Sequence, residues 1–322
     1  MLISGHCTEQ EAHPPVAGAR IAILMGTKNG ADFIGEQLKS IASQTHANWC
    51  LFISDDGSTD GTKDVITRFA KDRPQRIDVR HGPEKGVCAN FISLATNPSI
   101  EADYFAFSDQ DDIWNPDKLE RALNWFVTVP DHIPGLYCGR TELVTSEGHT
   151  YGLSPLFTRA PTFQNALVQS LGGGNTMAFN RATKKLLEEA GPLEVVLHDW
   201  WLYQLVSAAG GAIRYDPQPV LKYRQHENSL IGANLGWRAQ TTRIRMAFRG
   251  RFRSWNATNI AALQRVPDHL IQPQNRAVLA FFAQARSGSL LRRLINFKRS
   301  GVYRQTFLGN VWLLVAAIIK RI

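Results

Sequence analysis

Short apolar runs alternate with helical patterns along the N-terminal part of this chain. The apolar runs indicate strands at Ile21–Met25, Trp49–Ile53, Ile77–Arg80 and Tyr104–Phe107. The segments after them indicate helices at Ala31–Ser43, Thr62–Lys71, Val87–Ala95 and Asp117–Val127. This alternation predicts an α/β domain in which helices flank a mostly parallel central sheet. The 322 residues, 44% hydrophobic and 20% charged, are enough for one such domain and an appendage.

Acidic side chains follow two of the predicted strands. Asp55 and Asp56 come after the second strand, and Asp109, Asp111 and Asp112 come after the fourth. The carboxyl ends of strands in an open α/β sheet face one crevice, so both groups can line the same pocket. Carboxylate oxygens are the ligands that Mg²⁺ and Mn²⁺ prefer when they also bind a substrate phosphate. The pattern therefore predicts a metal-diphosphate site.

Both acidic segments also have a purely structural interpretation. Asp112 or Asn115 can serve as the N-cap of the helix that begins near Pro116. In the same way, Ser58 or Asp60 can cap the helix after the second strand, with Asp and Gly forming the turn. The sequence alone leaves both interpretations open.

Six segments occur in an order that resembles glycosyltransferase family 2, whose members have the GT-A fold. They are IAILM with TKNG at 21–30, LKSIASQT at 38–45, DDGS at 55–58, DQDD at 109–112, GGGNTMAFNR at 172–181 and HDWW at 198–201. The segment YRQHENS at 223–229 resembles, more narrowly, bacterial rhamnosyltransferase-like members that build surface polysaccharides. Processive members often carry Gln-x-x-Arg-Trp here, and its absence favours a transferase that adds a single sugar.

The resemblance covers residues 18–232 and implies three regions. These are an N-terminal tail at 1–18, a GT-A catalytic domain at 19–232 and a basic, amphipathic, helical C-terminal region at 233–322. It implies an inverting, metal-dependent glycosyltransferase that moves a sugar, L-rhamnose from dTDP-L-rhamnose, to a glycan acceptor in bacterial surface polysaccharide synthesis. The donor is expected to be dTDP- or UDP-linked, and the acceptor an oligosaccharide carried on a lipid.

The donor nucleotide is expected to contact the loops after the first two strands and the start of the third helix. Asp56, with Asp55 beside it, can accept a hydrogen bond from the imide N–H of uracil or thymine. Gly30 would let the backbone approach the ligand, although Asn29-Gly30 can equally be a plain turn with a positive φ. Lys85 precedes a helix whose free N–H groups suit a phosphate, and a solvated lysine is the alternative. The predicted donor-binding residues are Thr27, Asn29, Gly30, Asp55, Asp56, Lys85 and Asp109.

The metal, Mg²⁺ or Mn²⁺, is expected to neutralise the charge on the departing nucleoside diphosphate. Asp111 is the expected direct ligand, and Asp109 bridges toward the ribose or the metal. Asp112 is either a second ligand or the cap of the next helix. His226 offers an imidazole to the metal or the diphosphate, unless it merely packs in a loop.

The acceptor hydroxyl must lose its proton as the new C–O bond forms, and Asp199 is the predicted catalytic base. Direct displacement at the anomeric carbon inverts its configuration. Trp200 and Trp201 can stack on the acceptor or line the pocket. The alternative is that His198-Asp199 caps a helix and both tryptophans lie in the core. The predicted acceptor-binding residues are Gly173, Gly174, Asn175, His198, Trp200 and Trp201, although the glycines can merely mark a tight approach between strands.

The C-terminal region is rich in basic and apolar residues. Arg238, Arg243, Arg245, Arg249, Arg251 and Arg253 alternate with Trp237, Met246, Phe248, Phe252 and Trp255. A second basic group, Arg292, Arg293, Lys298, Arg299 and Arg304, precedes an apolar run at 311–319 that is closed by Lys320 and Arg321. The run is too short to span a bilayer, so the pattern predicts attachment to the inner membrane surface. The alternative is a helix that docks on the catalytic domain or on the second copy of a homodimer.

The remaining features favour a cytoplasmic enzyme, peripheral at the cytoplasmic face of the inner membrane. The scattered cysteines, Cys7, Cys50, Cys88 and Cys138, suggest reduced thiols, and 1–20 lacks a signal peptide pattern. The net charge of +8 comes with no nucleic-acid motif, so no nucleic-acid partner is expected. A nucleotidyltransferase would need a Gly-rich, basic first loop, which TKNG is not. A catalytically silent carbohydrate-binding or scaffolding relative remains the alternative, although every expected carboxylate is present.

Overall fold

The computed structural model describes residues 18–71, 73–225 and 251–322. The first four strands are β1 (Ile21–Thr27), β2 (Trp49–Asp55), β3 (Ile77–His81) and β4 (Tyr104–Ser108). Between them lie α1 (Ile34–Ala42), α2 (Thr62–Lys71) and α3 (Val87–Ala95). The chain continues through β5 (Ile113–Trp114), α4 (Lys118–Phe126), β6 (Gly135–Val144), β7 (Thr150–Leu153), α5 (Phe163–Ala166), β8 (Ala178–Asn180), α6 (Arg181–Ala190), α7 (His198–Ala208) and β9 (Ala212–Arg224). The described segment 251–322 contains four further helices, α8 (Arg251–Arg265), α9 (Pro273–Gln284), α10 (Leu290–Ser300) and α11 (Phe307–Ile318).

The central sheet is parallel in one half and mixed in the other. Within the described part of the chain, nine strands join in the order β3-β2-β1-β4-β8-β6-β9-β5, with β7 beside β6. The pairs β2-β3, β1-β2 and β1-β4 are parallel, as helical crossovers require. Beyond β4, the β8 pairings with β4 and β6 are antiparallel. The predicted α/β class is confirmed, with the parallel pattern concentrated where helices alternate with strands.

Side chains of the central strands alternate between two apolar layers. In β1, Ala22 and Leu24 point to one layer, and Ile21, Ile23 and Met25 point to the other. The first layer is covered by α3, α6 and α7, and the second by α1, α2 and α4. Because β1, β2 and β4 are parallel neighbours, their carboxyl ends reach the same edge of the sheet.

The described C-terminal helices dock on the domain that contains the central sheet. Leu263 of α8, Phe282 of α9 and Leu313 of α11 belong to the same buried layer as α7. The Asn275 side-chain amide donates hydrogen bonds to the carbonyls of Ser207 (3.1 Å) and Ala208 at the end of α7. The inner faces of these helices therefore pack on the rest of the fold, as the alternative to membrane attachment predicted.

Several predicted features lie outside the described residues. They are the tail through residue 17, the boundary near 232, His226 and the basic residues from Arg238 to Arg249. Among the helices that the structure does describe, none combines the length and apolar character needed to cross a bilayer.

Candidate active site

An acidic cluster follows β4 at the carboxyl edge of the sheet. Carboxylate oxygens of Asp109, Asp111 and Asp112 all lie within 4.8 Å of one another. Asp112 is fully buried, and its Oδ1 has no hydrogen-bond partner among the described residues. Buried oxygens without partners are rare in proteins, and they mark places where a ligand or ion completes the hydrogen bonding. Three hard oxygen ligands at this separation fit a divalent cation such as Mg²⁺ or Mn²⁺.

The electrostatics of this cluster also favour a cation. Burial, followed by the charges of Asp111 and Asp199, raises the pKa of Asp109 to about 7. Burial and the two neighbouring carboxylates also raise the pKa of Asp112 well above its usual range. Like charges held close together resist ionisation unless an opposite charge compensates them. A bound divalent cation would supply that compensation.

Lys118 and Asn175 hold the cluster from behind. The Asn175 amide donates a hydrogen bond to Asp112 Oδ2 (2.6 Å), and the Asn175 carbonyl accepts one from Lys118 Nζ (2.5 Å). Lys118 is buried over the Trp114 ring, with its Nζ 3.3 Å from the ring centroid. Burial lowers the pKa of Lys118 well below its usual value, although Asp112 and Asp109 oppose the shift.

These contacts correct two expectations. Asp112 and Asn115 do not cap the next helix, because α4 begins at Lys118, and Asp117 precedes it without a side-chain capping bond. Asn175 was predicted to bind the acceptor, but its side chain is buried and donates a hydrogen bond to Asp112. Asp112 is thus left available as a ligand.

Gln110 joins the acidic loop to the loop after β1. Its Oε1 accepts hydrogen bonds from Thr27 Oγ1 (2.6 Å) and the Lys28 amide (2.9 Å), and its Nε2 donates to the Lys28 carbonyl (3.1 Å). A Cβ atom on Gly30 would lie only 2.3 Å from Gln110 Oε1. Gly30 was predicted to let the backbone approach a ligand, and in the structure the group close to Gly30 is the Gln110 side chain. The residue of this turn with a positive φ is Asn29.

Replacing Gln110 with alanine removes its three hydrogen bonds to the first loop. If the first loop contacts the predicted sugar-nucleotide donor, the KM for that donor is expected to rise roughly tenfold, because a less ordered loop costs about 1–2 kcal/mol of binding. The catalytic carboxylates would stay in place, so kcat should fall less than kcat/KM. Steady-state kinetics with the donor as the varied substrate measures both. Gln284→Ala, at an exposed position in α9, is the matched control. An unchanged donor KM in Gln110→Ala would show that the first loop does not contact the donor.

The loop after β2 is bound to the same first loop. The Asn29 amide donates to Ser58 Oγ (2.9 Å), the Thr59 amide donates to Asn29 Oδ1 (2.9 Å), and the Gly30 amide donates to Thr62 Oγ1 (2.8 Å). Asp60 accepts from the amides of Ala31 and Thr62, and so it stabilises this junction. Ser58 does not cap α2, because its hydroxyl is used by the first loop.

Asp55 and Asp56 differ in how their oxygens are used. Asp56 accepts from the amides of Glu84 (2.6 Å) and Gly86 (3.2 Å), and so it fixes the loop that leads into α3. Asp55 accepts from the Ser58 amide through Oδ1, while its buried Oδ2 has no hydrogen-bond partner among the described residues. Burial alone would raise the pKa of Asp55, but the Ser58 hydrogen bonds and the nearby Lys63 lower it overall. The sequence analysis favoured Asp56 as the acceptor for the imide N–H of the base. In the structure, the carboxylate oxygen without a hydrogen-bond partner among the described residues belongs to Asp55.

Asp199 lies in the first turn of α7, next to the loop that precedes β8. Its Oδ2 accepts from the Gly174 amide (3.2 Å) and its Oδ1 from the Trp200 amide (2.6 Å). Burial raises the pKa of Asp199 to about 6, although these hydrogen bonds oppose the shift. The helix N-cap is Leu197, so Asp199 is not the capping residue. A partly exposed carboxylate with a pKa near neutrality suits proton transfer.

The aromatic neighbours of Asp199 lie in the core, which corrects three predicted acceptor contacts. His198 stacks on Phe91 with ring centroids 4.1 Å apart, and burial lowers its pKa to about 3. Trp200 and Trp201 are 4% and 2% exposed, and Trp200 Nε1 donates to a main-chain carbonyl (2.6 Å). None of the three rings presents an open face for a sugar, because α7 is buried on nearly all sides.

The triglycine loop is tightly packed beneath its surface. A Cβ on Gly174 would meet His198 Nε2 at 2.3 Å, so the loop packs tightly here against a side chain of α7, whereas the predicted alternative was a tight approach between strands. Gly173 is exposed and remains a predicted acceptor contact. Lys85 is exposed just before α3 and remains a predicted donor contact.

Hydrogen bonds link the sequence motifs in one series along the carboxyl edge of the sheet. Ser58 contacts Asn29, and Gln110 contacts Thr27 in the same first loop. From the acidic loop, a hydrogen bond joins Asp112 to Asn175, and the neighbouring Gly174 amide donates a hydrogen bond to Asp199. The charge of Asp199 also contributes to the raised pKa values of Asp109 and of the Cys88 thiol in α3. The acidic cluster and Asp199 are therefore close enough for their charges to interact.

Three residues of this region are missing from the sequence prediction. Besides Gln110 and Lys118, Arg224 at the end of β9 contacts Glu36 and the Ser146 carbonyl, and its Nε donates to the Asp111 carbonyl (3.2 Å). The sequence did contain an indication that Lys118 is buried. It lies on the apolar face of a helix whose buried positions include Leu119, Ala122 and Leu123. Gln110 and Arg224 lie in the segments DQDD and YRQHENS, but their contacts could not be predicted because their partners are distant in sequence.

Solved structures with similar folds include two transferases. The chain matches S. aureus TarS 1-349 in complex with UDP-GlcNAc with a TM-score of 0.52 and 16% identity, over 88% of this chain and 93% of TarS 1-349. It matches the mannosyltransferase PcManGT from Pyrobaculum calidifontis, in complex with GDP-Man and Mn²⁺, with a TM-score of 0.51 and 19% identity, over 97% and 88% of the two chains. These similarities show that the chain has the GT-A fold.

Sequence comparison specifies the family. The family model for Glycosyl transferase family 2 matches residues 22–187, and the chain belongs to this family. The dTDP-rhamnosyl transferase RfbG of Shigella flexneri is 32% identical over 235 residues, which are 68% of this chain and 78% of RfbG. The UDP-Glc:alpha-D-GlcNAc-diphosphoundecaprenol beta-1,3-glucosyltransferase WfgD of Escherichia coli is 28% identical over 129 residues, 39% of this chain and 47% of WfgD.

Proposed function

We propose that this glycosyltransferase transfers L-rhamnose from dTDP-L-rhamnose to a glycan hydroxyl, with inversion at the anomeric carbon and with Mg²⁺ or Mn²⁺ bound at the acidic cluster. The observation that carries the proposal is the hydrogen-bonded series that joins the two nucleotide loops, the acidic cluster and Asp199 at one edge of the sheet. A donor bound there would place its diphosphate at the cluster and its sugar toward Asp199.

The nucleoside is assigned to the loops after β1 and β2. Asp55 Oδ2 is a buried acceptor without a partner among the described residues, and the imide N–H of thymine or uracil would supply one. Asp56 shapes the neighbouring loop that ends at Lys85, whose exposed ammonium can approach the diphosphate. Both carboxylates of the predicted motif are thus used, in different roles.

Asp109, Asp111 and Asp112 would hold the divalent cation. When bound, the cation supplies charge neutralisation for the nucleoside diphosphate as it leaves the anomeric carbon. Asn175 fixes the orientation of the Asp112 carboxylate, and Lys118 fixes Asn175. Supporting groups of this kind keep ligands oriented for the metal.

Asp199 is assigned the role of catalytic base. The Gly174 and Trp200 amides orient its carboxylate, and it takes the proton from the acceptor hydroxyl as that oxygen attacks the anomeric carbon. The bond to the diphosphate breaks from the opposite side, so the product has the inverted configuration. The exposed backbone of Gly173 beside this carboxylate is the proposed acceptor contact.

The sugar and acceptor are assigned from the relatives. RfbG, which is described as a dTDP-rhamnosyl transferase, aligns over 78% of its own length, and this coverage supports dTDP-L-rhamnose as the donor. WfgD is described as acting on a diphosphoundecaprenol-linked sugar, which supports a lipid-linked oligosaccharide acceptor in surface polysaccharide synthesis.

Activity is expected to rise with pH and to level off above about 6. Asp199 acts as a base only when it is deprotonated, and burial raises its pKa to about 6. Below that pH, the deprotonated fraction falls about tenfold per unit. An unperturbed aspartate would instead keep its activity down to about pH 4. The measurement is kcat against pH at saturating donor, acceptor and Mg²⁺, with a separate check that the protein stays folded.

A panel of nucleotide sugars tests the proposal. The protein is incubated with dTDP-L-rhamnose, dTDP-glucose, UDP-glucose and GDP-mannose, each with Mn²⁺, Mg²⁺ or EDTA, and released nucleoside diphosphate is measured with and without oligosaccharide acceptors. Release from dTDP-L-rhamnose that requires metal and acceptor supports the proposal. Preference for another donor would contradict the sugar assignment, and full activity in EDTA would contradict the metal assignment. Donor binding without turnover for any acceptor would favour a silent relative.

A further inference from the structure

The outward side of α11 is almost entirely apolar. Phe307 is 81% exposed and Leu308 is 67% exposed, whereas Leu313 and Ala317 turn inward and are buried. At about 100° per residue, the outward positions cover roughly 140° of the helix circumference. They are Phe307, Leu308, Val311, Leu314, Ile318 and Ile319, and none of them carries a charge. Such a continuous exposed apolar surface on a protein usually marks a docking site.

The neighbouring helix α10 extends this surface. Its exposed apolar residues are Leu290, Leu291 and Ile295, and Leu291 is 70% exposed. The two helices are joined by a hydrogen bond from Arg293 Nη2 to the Ile318 carbonyl (2.7 Å), which holds the end of α11 against α10. We call the nine exposed residues on both helices the C-terminal apolar face.

The charged residues of the segment that carries this face are basic. Residues 269–322 contain nine Lys and Arg residues and no Asp or Glu, and one of the nine, Arg276, is paired with Asp268. Arg286 and Arg293 are partly used to bind main-chain carbonyls within the fold. Arg292, Lys298, Lys320 and Arg321 have exposed side chains close in sequence to the apolar residues. An apolar face that is accompanied by exposed basic side chains is complementary to anionic lipid headgroups.

We propose that the C-terminal apolar face docks the enzyme on the surface of an anionic lipid bilayer. A helix of 12 residues is about 18 Å long, well below the roughly 30 Å of a hydrocarbon core, so α11 would lie in the interface plane. A second copy of this chain fits less well, because a two-fold contact would bring the basic residues toward their own equivalents. This inference stands on α10 and α11 and is independent of the proposed reaction.

Vesicle co-sedimentation of the full chain tests this proposal. Vesicles of phosphatidylcholine alone are compared with vesicles that also contain phosphatidylglycerol. The expected result is at least tenfold stronger binding to the anionic vesicles, reduced by high salt, since each basic residue near the surface adds to the attraction. The double variant Phe307→Ser, Leu308→Ser should lose at least tenfold in binding to anionic vesicles.

Two controls keep the result interpretable. Leu156→Ser removes an apolar side chain that is 47% exposed in a loop far in sequence from α10 and α11, and vesicle binding should not change. Thermal unfolding and nucleoside diphosphate release in the absence of vesicles should match the wild type for both variants, because all three positions are exposed. Equal binding to neutral vesicles, no binding to either kind, or a solution dimer lost in the double variant would overturn the proposal.

Discussion

Replacing Asp199 with asparagine is expected to reduce kcat by about 10²- to 10⁴-fold, the usual contribution of a general base. Asparagine has nearly the same shape, and its carbonyl oxygen can still accept the hydrogen bond from the Gly174 amide. The donor loops do not depend on this side chain, so donor affinity should be largely unchanged. Steady-state kinetics gives kcat, and calorimetric titration with the nucleotide gives the donor affinity.

Asp268→Asn is the matched control for this experiment. Asp268 is a surface carboxylate paired with Arg276, with its side chain 98% exposed, so the same chemical change there should leave kcat as it is. A turnover in Asp199→Asn close to the wild-type value would assign the base to another group. A parallel loss of donor affinity would point to a structural role at the Gly174 loop.

Replacing Asp111 with alanine is expected to abolish the dependence of donor binding on divalent metal. Asp111 is the middle carboxylate of a cluster whose oxygens lie within 4.8 Å of one another, and its loss removes one of three ligands. Because a metal contributes several kcal/mol to stabilising the leaving group, kcat/KM should fall at least about 100-fold. Titration with the nucleoside diphosphate in Mn²⁺ and in EDTA measures the metal dependence directly.

Asp117 supplies the comparison for this second variant. It is an exposed carboxylate six positions after Asp111, and it makes no capping hydrogen bond to α4. Asp117→Ala should therefore keep metal-dependent binding. If Asp111→Ala bound the nucleotide as tightly as the wild type, and still only in Mn²⁺, the cation would have to lie elsewhere.

Local patterns predicted the first half of the fold well. The helices α2 and α3 begin and end where the sequence places them, because their apolar residues recur at helical spacing between clear turn residues. The strands β2 and β4 extend one or two residues further, to Asp55 and Ser108. Backbone pairing with β1 continues into the polar ends of these strands, which an apolar pattern does not detect.

The orientation of α7 could not be predicted from its sequence. The helix carries apolar or aromatic residues on every side, so no stripe indicates which face is buried. The sequence therefore allowed the prediction that Trp200 and Trp201 contact the acceptor, with the core as the alternative. Packing against α5 and α6 decides the question, because it encloses both rings.

The contacts that position the site were also beyond sequence analysis. Gln110 contacts Lys28, 82 residues earlier, and Arg224 contacts Glu36, 188 residues earlier. Neither side chain belongs to a recurring local pattern, so only the folded sheet brings the partners together. The sequence predicted the carboxylates of the proposed site, and the structure adds the neutral and basic groups that contact them.

The amide of Gln110 has a consequence for how the donor binds. Because it already ties the β1 loop to the acidic loop, little backbone freedom remains to be lost when the sugar nucleotide arrives. Preorganisation of this kind lowers the entropic cost of complex formation, so more of the contact energy appears as affinity. In the proposed donor site, selectivity among nucleotides would then depend on a loop conformation that already exists in the free enzyme.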